Sequence, residues 1–211
     1  MSKLIHFYSR RFFAGMLLTF LLATQSLDAT TIRVLLVYDT TAKTWADQNG
    51  GMALFSADTV AKMNQATTNS GINLTFELAC ATNVAYTYSS FNTDLPSLQA
   101  GTNGLAVVHR LRNAYSADVV ALFVDTGSPY GNTGRGYILS TTNGSPAYPF
   151  TIDAIQAVAL GHTLTHEFGH NLGCGHSKYQ ISETGPNTDL NTYSAGWYFY
   201  GTNTIHARYS V

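Results

Sequence analysis

With 11 basic and 12 acidic side chains in 211 residues, the formal charge of −1 leaves no basic excess for a nucleic-acid partner. Charged residues are 11 % of the chain, against roughly 25 % in an average soluble protein. Thr, Asn, Ser and Tyr take their place, which reads as the hydrogen-bonding surface of an exported protein, and no repeat or low-complexity tract divides the chain.

Lys3, Arg10 and Arg11 precede an apolar stretch over residues 12–23. That stretch is too short to cross a hydrocarbon core of about 30 Å comfortably, and small residues follow it. The pattern predicts an export signal over residues 1–29, cleaved after Ser26 or Ala29, with an uncleaved anchor as the alternative. Removing residues 1–29 leaves eight basic and eleven acidic residues, a formal charge of −3. The remaining length, 30–211, suits one domain with a sizeable core.

Residues 31–38 form a near-continuous apolar run, as expected of a strand buried on both faces. A helix is predicted over 52–69, with Leu54, Phe55, Ala57, Val60, Ala61 and Met63 facing a core and Gly71 ending it. Residues 73–80 alternate apolar and polar and predict a second strand. A helix over 105–115 and a buried strand over 119–124 follow. Residues 131–136 are turn-rich; Tyr137, Ile138 and Leu139 then read as a short edge strand, and 150–153 as the last strand. This β-α-β-α-β order argues for an α/β fold with a mixed, mostly parallel sheet.

The chemistry is concentrated in His166-Glu167-Phe168-Gly169-His170-Asn171-Leu172-Gly173-Cys174-Gly175-His176. On a helix over 164–172, His166 and His170 lie one turn apart, about 6 Å between side-chain roots. Two imidazoles so placed can close on one zinc at about 2.0–2.1 Å. Glu167 is rotated about 100° from His166, beside the metal without being forced onto it. Leu164, Phe168 and Leu172 repeat on the opposite face and are expected to anchor the helix in a core. His176 would lie about 9 Å further along a continuing helix. The chain must therefore reverse, and Gly173 stands where a positive φ would let it. His162 extends the i, i+4 series, but three such turns span about 12 Å, so it is assigned to support beside the site or to the surface. The bland alternatives are surface histidines before a glycine stop, and a purely structural zinc. Against the second, three neutral ligands leave an open fourth position beside a carboxylate.

The segment fits H-E-x-x-H-x-x-G-x-x-H at every fixed position and resembles the zinc-binding consensus of the metzincin metallopeptidases. It is most similar to the reprolysin (adamalysin-type) branch and its bacterial secreted relatives. The resemblance implies one catalytic zinc on His166, His170 and His176, Glu167 as general base, and Gly173 as the turn glycine. Calcium is left open. It further implies a metzincin-like catalytic domain with long helices and a twisted sheet whose edge strand pairs with an extended polypeptide substrate; Gly136, Tyr137, Ile138 and Leu139 are the candidates.

Two departures stand out. The reprolysin branch usually carries Asp after the third histidine, where this chain has Ser177. Metzincins also place a methionine-containing turn below the metal, whereas Met1, Met16, Met52 and Met63 all precede His176. Either His206 replaces that methionine or the domain is C-terminally incomplete, ending at Arg208-Tyr209-Ser210-Val211, which resembles the approach to the turn. Cys80 and Cys174 are expected to be unpaired thiols.

The expectation is a secreted or periplasmic zinc endopeptidase in which Glu167 takes the proton of a water activated at the metal. It should have no nucleic-acid partner and no stable membrane association after signal removal. A zinc-containing binding or adhesion module without turnover is the rival, and hydrolysis of a small non-protein amide a third reading.

Overall fold

The computed structural model describes residues 29–176 and Leu190. One five-stranded sheet contains β1 (Thr30–Tyr38), β2 (Leu74–Asn83), β3 (Val119–Val124), β4 (Gly134–Gly136) and β5 (Phe150–Ala154). Its order is β2-β1-β3-β5-β4; all pairings are parallel except β4, which runs antiparallel to β5 at one edge. The helices are α1 (Thr40–Gln48), α2 (Met52–Asn69), α3 (Phe91–Ala100), α4 (Ala106–Ala114), α5 (Ile155–Leu160) and α6 (Thr163–Asn171). The α/β class and the mostly parallel sheet are as the sequence order implied.

Strand β3 throughout, and β1 over its last five residues, are apolar because both faces are covered. Val34, Leu36 and Tyr38 of β1, with Ala121 and Phe123 of β3, pack against α1, α2, α5 and α6. Leu35, Val37, Val120, Leu122 and Val124 face α3 and α4 on the other side. Removing one such side chain from water is worth roughly 1.5–3 kcal/mol, so this double-sided burial fixes which strands lie at the centre.

Helix α2 spans the expected residues but turns a different face inward. Leu54 is 64 % exposed, and Ala57 and Ala61 are exposed too. Ser56 and Thr59 are buried in their place, beside Phe55, Val60 and Met63. The polar pair tolerates burial because each hydroxyl is satisfied. Ser56 meets the Tyr38 hydroxyl at 2.6 Å, and Thr59 donates to the Phe55 carbonyl at 2.8 Å.

Three helices had not been expected. Helix α1 is rich in Thr but capped by Asp39, which accepts the Ala42 N–H at 2.6 Å. Helix α3 contains Pro96 yet is held by the Ser90 cap and by buried Phe91, Leu95 and Leu98. Helix α5, only six residues long, leads directly into the motif helix.

The edge strand is shorter and further upstream than its sequence suggested. Only Gly134, Arg135 and Gly136 join the ladder, opposite Asp153, Ile152 and Thr151. Tyr137, Ile138 and Leu139 leave it because their backbone is taken elsewhere: Leu139 N–H donates to the His170 carbonyl at 2.9 Å and Asn171 donates to the Tyr137 carbonyl at 2.8 Å.

Candidate metal centre

Helix α6 crosses one face of the sheet, with buried Leu164 and Phe168 in the core and Phe168 stacked on Phe76 of β2 at 6.4 Å. Leu172, expected on the same stripe, is 42 % exposed. It caps the helix, where the chain already turns away from the core. On another face His166 and His170 stand with ring centroids 4.5 Å apart.

The reversal after the helix is built as the glycine implied. Gly173 has φ +96°, its N–H donates to the His170 carbonyl at 3.0 Å, and Cys174 N–H donates to the Gly169 carbonyl at 2.8 Å. This fold-back returns His176 to the helix. Its Nε2 lies 3.2 Å from Nε2 of His166 and 3.0 Å from Nε2 of His170. Three arms of 2.0–2.1 Å at tetrahedral angles put their ends about 3.3–3.4 Å apart. Three imidazole donors at this separation fit one zinc ion.

Second contacts prepare the donors. His170 Nδ1 donates to the Cys174 carbonyl at 2.7 Å, which leaves its Nε2 lone pair for the metal. Burial lowers the His170 pKa, opposed next by the Cys174 carbonyl and helped least by the His176 ring; burial alone lowers that of His176. Both rings thus favour the neutral form that a metal requires. His162 lies exposed at the helix N-cap, outside the group. Cys80 and Cys174 are not bonded to one another.

Glu167 is buried and reaches beneath β4, where it accepts the Gly136 N–H. Burial pushes its pKa up to about 8, against the lowering effects of that hydrogen bond and of Arg135. Ideal Cβ atoms at Gly134 and Gly136 would lie 2.9 Å from its Oε1 and 3.3 Å from its Oε2. The carboxylate therefore occupies room that only glycines leave. Wholly buried Asp153 of β5 borders the same space. Sequence reasoning passed over Gly134 and Asp153; the available signal was an acid inside a strand with Phe150, Ile152 and Ala154.

Of the four candidate substrate contacts, Gly136 stands in β4 against Glu167. Tyr137, Ile138 and Leu139 line a cavity of about 390 Å³ with Tyr148, Pro149 and Asn171. Residues 1–28, Ser177, His206 and 208–211, where the signal, the departure after the third histidine and the missing methionine turn were placed, lie outside the described residues. Among the described residues no helix is long and apolar enough to cross a membrane.

The reprolysin-type model of metallopeptidase family M12 matches residues 28–208. The chain belongs to this family. Its reprolysin-like metzincin character and its single three-histidine zinc site agree with the motif and with the convergence of His166, His170 and His176. A peptidyl-Asp metalloendopeptidase of Xanthomonas campestris pv. campestris is 30 % identical over 82 % of this chain and 39 % of its own length. One from Stenotrophomonas maltophilia is 31 % identical over 74 % of this chain and 36 % of its own. The M12 chain thus spans under two-fifths of these relatives. A solved structure described as a chaperone-substrate complex superposes with a TM-score of 0.57 at 20 % identity, over 72 % of this chain and 24 % of that one; the likeness is of fold.

Proposed function

We propose that the chain is the catalytic portion of a secreted zinc-dependent endopeptidase. One observation carries this: three Nε2 atoms converge at the spacing of a tetrahedral metal, and the residue after the first of them is a buried glutamate. In this reading His166, His170 and His176 hold the metal through Nε2, and the fourth position stays open. Zinc bound there supplies Lewis acidity, which acidifies water and polarises a carbonyl.

The remaining chemistry belongs to the chain. Glu167 takes the proton of the attacking water and returns it to the leaving amine. Its enclosure under β4 keeps the carboxylate dry, so that a single positive neighbour acts strongly on it. The polypeptide substrate lies extended along β4, whose outer side carries no ladder partner among the described residues. The preference named for the relatives, peptidyl-Asp, is carried to this chain as part of the proposal. Export by residues 1–29 belongs to it too, and the M12 relationship to bacterial endopeptidases supports that reading.

The test is chelator-sensitive hydrolysis of casein by the zinc-loaded protein, with metal content measured alongside. Glu167→Gln should keep one zinc per chain and lose turnover. Stoichiometric zinc in the unaltered protein without hydrolysis of any polypeptide would favour a binding module instead.

A further inference from the structure

The chain that leaves β4 walls a cavity beside the histidine-bearing helix. Tyr137, Ile138 and Leu139 supply one part of its wall, Tyr148 and Pro149 another, and Asn171 of α6 a third. Its volume of about 390 Å³ falls within the roughly 300–1,000 Å³ of pockets that hold small organic groups. Two sets of bonds hang this wall on the end of α6. Leu139 N–H donates to the His170 carbonyl at 2.9 Å. The Asn171 amide nitrogen donates to the Tyr137 carbonyl at 2.8 Å and to the Tyr148 carbonyl at 3.4 Å, so one side chain ties both sides together. The cavity is thus anchored at a metal ligand and continues the strand along which a polypeptide would lie.

The lining decides what can enter. None of the residues around the cavity carries a charge, so an ionised side chain would give up hydration there without gaining a partner. Tyr137 and Tyr148 stand with ring centroids 4.9 Å apart at 56°. Tyr137 also packs on the core around Phe150 and Ile152, which holds its ring in place. Tyr148 is 46 % exposed and forms the rim with exposed Ser140 and Thr141. An aromatic ring entering over this rim can meet the two tyrosines in offset or edge-to-face contact and gain beyond simple burial.

We propose that this cavity is a substrate subsite for an aromatic side chain of the polypeptide, with Tyr137 and Tyr148 setting the preference. The proposal rests on the endopeptidase reading and adds a second point of recognition to the peptidyl-Asp preference. Glu167 lies beneath Gly134 and Gly136, whereas the cavity begins at Tyr137. The aromatic residue therefore falls on one side only of the bond being cut.

The experiment reads affinity without turnover, in the full-length, zinc-loaded Glu167→Gln protein. A short Ala-rich peptide with one Asp carries Phe at each other position in turn and is titrated by fluorescence anisotropy. At one position, on one side of the Asp, Phe should bind about tenfold or more tighter than Ala and about threefold tighter than Leu. Lys or a second Asp at that position should bind no better than Ala. Ser145→Trp and Thr141→Trp fill the cavity from its lining and should bring the Phe-to-Ala ratio within about twofold of one, and Tyr148→Ala should lower it about threefold. A Phe preference at no position, at all positions alike, or unchanged in both tryptophan variants would overturn the proposal. So would equal losses for the Phe and Ala peptides, which would assign the cavity to the packing of the protein itself. If the tryptophan variants fail to fold, the ratio in Tyr148→Ala decides. Absence of casein hydrolysis by the unaltered protein would sink the endopeptidase reading, while the affinity ratios would still report on the cavity.

Discussion

Glu167 fills the volume that a side chain at Gly134 would need, with its Cγ and Oε1 both 2.9 Å from the ideal Cβ position. The edge strand and the motif helix are fitted to one another through that single missing atom. A methyl group there must push the carboxyl group aside or lift β4 from α6. Gly134→Ala should cost about 1–3 kcal/mol in stability, the usual range for overpacking. It should also reduce kcat at least about tenfold, since small misplacement of a reacting group is expensive. Zinc content should stay at the wild-type level because the histidines are untouched. Urea melts, turnover on casein and metal analysis check the three parts, and wild-type turnover in this variant would refute the fit.

Gly173 performs a different task. Its φ of +96° reverses the chain, and a Cβ on it would lie 2.6 Å from a Leu190 methyl carbon. His176 follows three residues later, so any relief of this strain moves the third ligand. Gly173→Ala should lose about 1–2 kcal/mol from the unfavourable backbone alone and weaken zinc binding by at least about tenfold. Competition with a chromophoric chelator measures the affinity. An unchanged zinc affinity would show that His176 is placed independently of the turn.

The elements legible in advance are those whose pattern follows directly from burial. Strand β3, with six consecutive buried residues, and helix α2 matched their expected limits, and β1 differed by one residue. The face of α2 was misread because hydrophobicity alone puts Leu54 inward. Ser56 and Thr59 are buried only because Tyr38 and the Phe55 carbonyl satisfy them, which a linear pattern does not reveal. Helix α3 was hidden by Pro96. The three histidines were legible because i, i+4 spacing and a glycine-directed reversal are local geometry. Asp153 was not, since its meeting with Glu167 depends on β5, β4 and α6 coming together.

The metal-free protein should lose stability as pH rises from 6.5 to 8. Glu167 is pushed up to about 8 by burial, whereas an unfolded glutamate titrates near ~4.3. Between those values the folded state keeps a proton that the unfolded chain has released, so this contribution is complete at the acid end and lost through pH 8. Lowered His170 and His176 act oppositely. Their stabilisation grows as pH rises through the unfolded imidazole value of ~6.5 and levels off about one unit above it. Asp153, held well above the usual carboxylate range by burial, adds to the Glu167 trend, at up to ~1.4 kcal/mol per pH unit for each acid, and together the two outweigh the histidines above pH 6.5. Denaturation of the chelator-treated protein at pH 6.5 and 8 measures the slope, and Glu167→Gln should reduce it, leaving the part that belongs to Asp153. A rising stability over that interval would contradict the burial of an unpaired acid.

Arg135 offers an exposed positive charge on the edge strand. It sits at the centre of β4 between the two glycines that face Glu167, and strand alternation puts its exposed side chain on the opposite face. Its hydrogen-bond partner there, the Asn92 side chain, is neutral, and none of the ion pairs among the described residues uses it. A polypeptide along the free edge of β4 would bring alternate side chains towards this charge. If the peptidyl-Asp preference of the relatives holds for this chain, Arg135→Ala should lower kcat/KM for an Asp-containing peptide by about tenfold, equivalent to ~1.4 kcal/mol. The same peptide with Asn in place of Asp should be almost unaffected. Raising salt should erode the Asp preference of the unaltered enzyme, because an exposed pair is screened. Equal losses on both peptides would instead assign Arg135 to holding α3 against β4 through Asn92.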